Sequence, residues 1–335
     1  MRAALYPDKK NHWCEPDDLA QLAAGGYLAL IHADGNGIGK RYKDWKEKAK
    51  ASALDHLGKE ARGEAFFHSM RVAVRRALVD ALGKTFPAAK ATAPKAERRR
   101  PYEILMLGGD DLLMICRADR ALDFARQYAE ELKEYPLADG KGPLDVAIGV
   151  AIAQKTYPLH RLHELAESLA SSAKRLYRSL RSEKKTSVVD WQVVTQSWFE
   201  GVAEARRRGE RVTYTLNGKA ETLLLTSRPY RVSGDDGLAV LLDAASALGR
   251  KDEDRGREKA ARSPLRSLRG ACERGRLLGE MTFDRLDEDI RKTLGWEGRT
   301  LWKDLELNGK SICATRALDV IGIREIARLG RKKDD

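Results

Sequence analysis

Cysteine is scarce in this chain: four in 335 residues, at positions 14, 116, 272 and 313. No two are spaced C-x-x-C, which excludes a zinc knuckle and a dithiol redox motif. So few scattered thiols suit a reducing cytoplasm, the compartment expected here. Cys116 lies inside an apolar run and reads as a core residue. Long apolar runs are also lacking, and Met1–Glu15 carries no signal-peptide apolar region, so no membrane is expected. Histidine numbers only six, and His56, His68, His160 and His163 show no metal-ligand spacing. No Ser/His/Asp or Cys/His set emerges, so a side-chain nucleophile is not supported. Acidic residues fall short of basic ones, 50 Asp and Glu against 62 Lys and Arg, for a net charge of +12. That balance suits polyanionic partners such as nucleotides or nucleic acid, or else a plain solvated basic surface. At 42% hydrophobic and 33% charged residues, a chain of this length can fold as a soluble globular protein with two domains.

Against these absences one stretch stands out. Glu103 to Leu107 and Leu112 to Cys116 are short apolar runs separated by Gly108-Gly109-Asp110-Asp111. The runs read as strands and the two glycines as a tight hairpin turn. The acid pair does not fit a plain turn, because Asp111 leads directly back into the core and a buried carboxylate is costly unless it is paired or holds a cation. A second stretch has the same character. Tyr27 to Ala33 reads as an apolar strand and runs into Asp34-Gly35-Asn36-Gly37-Ile38-Gly39-Lys40, a flexible glycine loop whose N–H groups can approach phosphate closely.

The remaining pattern supplies a scaffold. Residues 41–60 read as an exposed helix or lid and 63–82 as an amphipathic helix; 83–101, with Arg98-Arg99-Arg100, reads as a basic mobile loop. A helix is predicted from Leu122 to Leu132, a strand from Leu144 to Ile152 with Gly149 as a possible bulge, a helix over about 160–181, and a strand from Ser187 to Val194. This order predicts an α+β fold of ferredoxin-like palm type with a mainly antiparallel sheet and a C-terminal helical domain. The expected domains are a palm over 1–200, a connecting β-hairpin segment over 201–232 with its turn at Asn217-Gly218, and a helical domain over 233–335. Arg206-Arg207-Arg208-Gly209 reads as a charged break, and 250–262 as a charged mobile loop. Helices are expected near 236–248, 264–279, 283–294 and 314–329. The second Gly-Asp-Asp, at Gly234-Asp235-Asp236, follows no apolar strand; Ser233 with Asp236 resembles a helix N-cap.

If the first strand and the hairpin lie side by side, Asp34, Asp110 and Asp111 converge. Three such acids repel one another unless a divalent cation is present, and hard oxygen ligands suit Mg²⁺ or Mn²⁺. Two-metal sites of this kind drive phosphoryl or nucleotidyl transfer. Lys174, on a helix face that also carries Arg175, Arg178 and Arg181, or Lys40, can neutralise phosphate, although a lysine on such a face is usually only solvated. His32 shares the face of Asp34 by strand alternation, as a site contact or as a satisfied core histidine. Either acidic turn alone is an ordinary polar turn; the two together, each closing an apolar strand, point to a site.

These motifs, with Val146-Ala147-Ile148-Gly149-Val150-Ala151 and Ala173-Lys174, resemble the palm of GGDEF nucleotide cyclases. With Gly-Gly-Asp-Asp in the turn, Ser187-Val188-Val189-Asp190-Trp191 and Arg228-Pro229-Tyr230, they resemble more closely the cyclase palm in the large subunit of type III CRISPR effector complexes. The resemblance implies a cytoplasmic nucleotidyltransferase of antiviral defence that makes cyclic oligonucleotides or cyclic dinucleotides from nucleoside triphosphates, usually ATP. It implies Asp34, Asp110, Asp111 and the Gly35 carbonyl as the metal and catalytic groups. The expected nucleotide-binding set is Gly35, Asn36, Gly37, Ile38, Gly39, Lys40, Gly108, Gly109 and Lys174. It further implies a second palm, from a homodimer or a partner chain, and CRISPR effector subunits or RNA as partners. The alternative is a catalytically silent RNA-binding scaffold of such a complex.

Overall fold

The structure, a computed structural model, describes residues 2–194, 204, 209–216, 219–250, 260–307 and 310–330. The first part forms α1 (Arg2–Leu5), β1 (Tyr27–Gly35), α2 (Ile38–Lys50), α3 (His56–Thr85), β2 (Tyr102–Gly108), β3 (Asp111–Arg117), α4 (Ala121–Glu131), β4 (Val146–Gln154), α5 (Leu159–Ser179) and β5 (Val188–Val194). Then follow β6 (Arg211–Leu216), β7 (Lys219–Leu224), β8 (Tyr230–Arg231), α6 (Leu238–Gly249), α7 (Arg262–Glu273), α8 (Arg276–Asp284), α9 (Glu288–Leu294), β9 (Lys303–Leu307), β10 (Lys310–Ala314) and α10 (Ala317–Arg328). The chain divides into two compact units. One comprises Met1–Ser197, Pro229–Ser233 and Leu329–Asp335, the other Trp198–Arg228 and Gly234–Arg328.

The first unit is built on a six-stranded sheet of order β2-β3-β1-β4-β5-β8, in which only β4 and β5 are parallel. Its centre is β4, buried from Val146 to Ala153. A strand with no polar alternation must be covered on both faces. Ala147 packs with Ala173, Leu176 and Tyr177 of α5, and Gly149 lies against the α5 backbone, so α5 covers one face. The other face receives α4, which packs on β1 and β4 and is flanked by α3. The α+β palm order therefore stands as the sequence predicts.

Two local expectations for this unit are corrected. Gly149 is not a bulge: the β1–β4 register runs unbroken from Tyr27↔Gln154 to Gly35↔Val146. The glycine serves a close approach instead, since a Cβ there would lie 2.0 Å from the Ala166 carbonyl oxygen and 2.5 Å from the Ala170 nitrogen. The basic segment before the hairpin is an exposed loop over most of 87–95, but its last arginine is not solvated. Arg100 is only 2% exposed and pairs with Asp8 at 2.7 Å and Glu103 at 2.5 Å. Its backbone N–H donates to the Cys14 carbonyl at 2.8 Å, which ties the N-terminal segment to the start of β2.

The second unit combines helices α6–α10 with a four-stranded sheet of order β6-β7-β10-β9. This corrects the expectation that strands end before residue 233. The hairpin of β6 and β7 is not a connector: Cys313↔Leu223 and Ala314↔Leu224 pair β10 alongside β7 in parallel. Segments as short and charged as Lys303–Leu307 become strands only when a neighbour accepts their backbone groups, which local pattern does not show. The domain limits at 200 and 232 shift for the same reason, and Pro229–Ser233 belongs to the first unit, where Val232 donates to the Ser187 carbonyl at 2.8 Å. Ser233 is therefore no helix cap. It bonds Lys133 and Thr186, while α6 opens at Leu238 behind Gly237. The helix expected over 264–279 is divided at Gly275, whose φ of +130° interrupts it. The Asn217-Gly218 turn, Arg206-Arg207-Arg208 and 251–259 lie outside the described residues.

A packing prediction follows from Gly149. Gly149→Ala should destabilise the protein by about 1–3 kcal/mol or more through overpacking against α5. Gly83→Ala, in α3 with open space around it, should instead stabilise by up to about 1 kcal/mol. Denaturant unfolding of the two variants checks both signs.

Candidate metal centre

Strand pairing, not sequence proximity, builds the site. In the β1–β3 ladder His32 opposes Leu113 and Ala33 opposes Leu112, so continuing that register sets Asp34 next to Asp111. The β2–β3 hairpin closes on Gly108↔Asp111, leaving Gly109 and Asp110 as its two turn residues. Gly109 has a φ of +62°. A positive φ at the first central position is glycine's role in a hairpin turn that matches strand twist. The result is that oxygen atoms of Asp34, Asp110 and Asp111 all lie within 4.8 Å of one another.

Gly35 makes this convergence possible. A Cβ at that position would stand 2.5 Å from Asp110 Oδ2 and 2.8 Å from its Cβ, so only glycine leaves room for the Asp110 carboxylate. Burial raises the Asp110 carboxyl above its ordinary range and Asp34 adds to the effect; the N–H groups of Asp110 itself and of Gly35 oppose it. Burial, then the charges of Asp34 and Asp110, push Asp111 up to about 6. Both shifts register burial first and the neighbouring carboxylates second.

The cation that is present is Lys174. From α5, 140 residues along the chain, its Nζ donates to Asp34 Oδ2. The Gly149 contact holds α5 close enough for that reach. Lys40 does not join the cluster. It is exposed on α2, where it acts on Asp44.

The loop after Asp34 turns at once into helix. Gly37, with a φ of +72°, caps α2. Arg41 is the first residue to bond back, to the Gly37 carbonyl at 3.0 Å. The N–H groups of Ile38, Gly39 and Lys40 thus have no intrahelical acceptor, and they sit at the positive end of the helix dipole. Asn36 is only 5% exposed; its N–H donates to the Asp145 carbonyl at 2.7 Å, and its side-chain Nδ2 has no partner. His32 lies beside the site on the α5 face, its ring 6.1 Å from that of His163. Burial lowers its pKa, which holds it neutral, against the opposing charges of Glu167 and Asp34.

Several supporting residues carry no sequence signal. Arg41 forks onto Asp139 at 2.7 and 2.5 Å and onto the carbonyls of Pro143 and Gly142, both at 2.8 Å, which fixes α2 against the segment before β4. Tyr128 of α4 is fully buried, and its unpartnered hydroxyl lies in the field of Asp110 and Asp111. Helical periodicity marks Tyr128 only as a core position. Gly108 ends β2 with no steric demand on its Cα, whereas Gly109 owes its place to its φ. The decoy acids Asp235 and Asp236 belong to the second unit, where Asp236 faces Lys303 and Arg316 at 3.7 and 3.8 Å.

The donor set suits a hard divalent cation: carboxylate oxygens at one point, partly solvated, with the Gly35 cradle holding one of them in place. Without a cation the cluster opposes folding. A carboxyl raised in the folded state is destabilising once ionised, so this cost is nearly absent below pH 4, grows between about 4 and 6, and is complete above about 6. Asp111→Asn should therefore raise the melting temperature of the metal-free protein at pH 8 by a few degrees and leave it nearly unchanged below pH 4. Calorimetry in a chelator at both pH values tests this.

Residues 27–181 match the family model described as Cas10/Cmr2, second palm domain. No curated protein matches the chain. Among solved structures, a Csm1–Csm4 cassette in complex with cA3 aligns over 91% of this chain and 36% of its own, with 13% identity and a TM-score of 0.47. A Csm1–Csm4 cassette in complex with cA4 aligns over 47% of this chain and 21% of its own, with 16% identity and a TM-score of 0.34. The GGDEF domain of DgcB from Caulobacter crescentus, in complex with c-di-GMP, aligns over 50% and 78%, with 15% identity and a TM-score of 0.30. The chain thus spans only about a fifth to a third of the Csm1 chains it resembles.

Proposed function

We propose, from the match of residues 27–181 to the Cas10/Cmr2 second palm domain, that this chain is a nucleotidyltransferase of type III CRISPR defence. It joins nucleoside triphosphates, ATP foremost, into a cyclic oligonucleotide or cyclic dinucleotide. The observation that carries this reading is the convergence of Asp34, Asp110 and Asp111 within 4.8 Å. Beside them stand the unused N–H groups of α2 and the ammonium of Lys174.

Asp34, Asp110, Asp111 and the Gly35 carbonyl are the groups that would hold Mg²⁺ or Mn²⁺. Such an ion, when bound, supplies charge neutralisation and Lewis-acid polarisation of phosphate oxygens. The N–H groups of Ile38, Gly39 and Lys40 bind anionic phosphate oxygens at the helix end. Lys174 keeps Asp34 in place and has further N–H donors for a phosphate oxygen. The reaction these groups serve is attack of a 3′- or 2′-hydroxyl on an α-phosphorus, with formation of a new P–O bond and departure of pyrophosphate. Positioning and charge stabilisation suffice for it, which agrees with the lack of a nucleophilic side chain. Cyclisation needs a second nucleotide held opposite the first, so a second palm, from another copy or from a partner subunit, completes the site.

Incubation with ATP and Mn²⁺, alone and with target RNA, should give oligonucleotide products by mass spectrometry. Asp34→Ala and the Asp110→Ala/Asp111→Ala pair should abolish them while the circular dichroism spectrum is retained. Absence of product from the wild type in both settings overturns the reading. Mn²⁺ affinity, followed by the paramagnetic resonance of the free ion, should fall as pH drops through about 6, where Asp111 takes up a proton. Flat binding across that range would remove Asp111 from the ligand set.

A further inference from the structure

A second feature of the palm unit lies on the far side of α2. Between α2 and α3 is a cleft of about 690 Å³. Its aromatic lining is Tyr42, Trp45 and Phe67, and Tyr42 and Phe67 pack with ring centroids 4.6 Å apart. The Arg62 guanidinium lies 4.2 Å from the Trp45 ring centre, and the indole N–H is held by the Arg62 carbonyl at 2.8 Å, which fixes the ring. Ala49 and Gly63 leave the floor bare; a Cβ on Gly63 would meet nothing nearer than the Tyr42 hydroxyl at 3.8 Å.

The rim is basic. Lys46, Lys50, His56 and Lys59 face Glu60 and Glu64. Glu64 is engaged by Arg71, and His56 Nδ1 lies 3.7 Å from Glu60. Lys50 is held by Glu47 at 2.9 Å. Lys46 and Lys59 enter no ion pair among the described residues. An aromatic cleft with uncommitted cations at its edge matches one chemistry well: bases stack on the rings while the phosphates meet the ammonium groups. An acidic peptide would satisfy the lysines but leave the fixed aromatic rings without a counterpart. A duplex would bring phosphates but keep its bases stacked on one another.

We propose that the α2–α3 cleft is a binding site for single-stranded nucleic acid, with Lys46 and Lys59 as phosphate contacts and Tyr42, Trp45 and Phe67 as the stacking surface. The site is separate from the acid cluster and does not rest on the nucleotidyl-transfer reading.

The test uses the full chain and fluorescein-labelled 12-mers of oligo(U) and oligo(dT), with anisotropy read at several salt concentrations. Lys46→Glu/Lys59→Glu should weaken binding at least tenfold. The gentler Lys46→Gln/Lys59→Gln pair should lower the salt slope by about 1.4, the value for two phosphate contacts on a single strand. Gly63→Leu, which fills the cleft from a helical position, should weaken binding with no loss of thermal stability. Photocrosslinking of 4-thiouridine oligonucleotides should label the peptides containing Tyr42, Trp45 or Phe67. Comparison of the two oligomers tells RNA from DNA as the strand preferred. The proposal is overturned by unchanged affinity in the charge variants, by crosslinks only elsewhere, by equal binding of a duplex of the same length, or by full displacement with poly-glutamate. The last outcome would identify an acidic peptide site. Mn²⁺ binding, unchanged in every cleft variant, separates a failure here from a failure at the acid cluster.

Discussion

Electrostatic repulsion among Asp34, Asp110 and Asp111 is the constraint around which the palm unit is arranged. Three carboxylates with oxygens inside 4.8 Å oppose folding, and Asp110 and Asp111 are raised first by burial and then by their acidic neighbours. They stay together because the rest of the sheet leaves them no alternative. The β1–β3 register and the two-residue β2–β3 turn set their backbones, and the apolar sides of β1, β3 and β4 are buried on both faces. A slip of one residue would exchange the side chains of the two buried faces and take Gly149 from beneath α5. The hydrophobic core thus imposes the acid cluster on the chain.

What offsets the repulsion comes from α5. Gly149 lets that helix lie directly on β4, and only from there does Lys174 reach Asp34. On the other side, Gly35 gives Asp110 the volume it occupies, and Arg41 with Asp139 anchors the helix whose first N–H groups border the acids. Three glycines thereby act through different physics: Gly35 and Gly149 through space, Gly109 through its backbone angle. None is interchangeable with alanine, and only Gly109, in its hairpin turn, reveals its reason from its sequence neighbours.

The same helix presents two chemistries. The start of α2 offers N–H groups toward the acid cluster, while its later turns, with α3, offer aromatic rings and lysines. Both suit phosphate-bearing ligands, one as a compact anion and the other as a strand. The excess of basic over acidic residues is therefore not spread evenly in effect: some cations are held in ion pairs, as Arg41 and Arg100 are, and others, such as Lys46 and Lys59, remain uncommitted.

Much of this was legible in the sequence. Apolar strands ending in Asp34 and flanking Gly108–Asp111, the helical periodicity of α3, α4 and α5, and their α+β order follow from local hydrophobic pattern, which reports periodicity directly. The residues of the candidate site were legible too, because clustered acids at strand ends contradict the rule that buried charge must be compensated. Tertiary structure decided the rest. Arg100 reads as a loop cation until Asp8 and Glu103 enclose it; Gly149 reads as a bulge until α5 lies on it; Lys303–Leu307 reads as neither helix nor strand until β10 pairs with it. Lys40 and Lys174 look equally eligible in sequence, and only the docking of α5 selects Lys174. Local pattern carries the period of a segment, but which distant segment meets it depends on the whole core closing at once, and that is where the acid cluster of this chain is assembled.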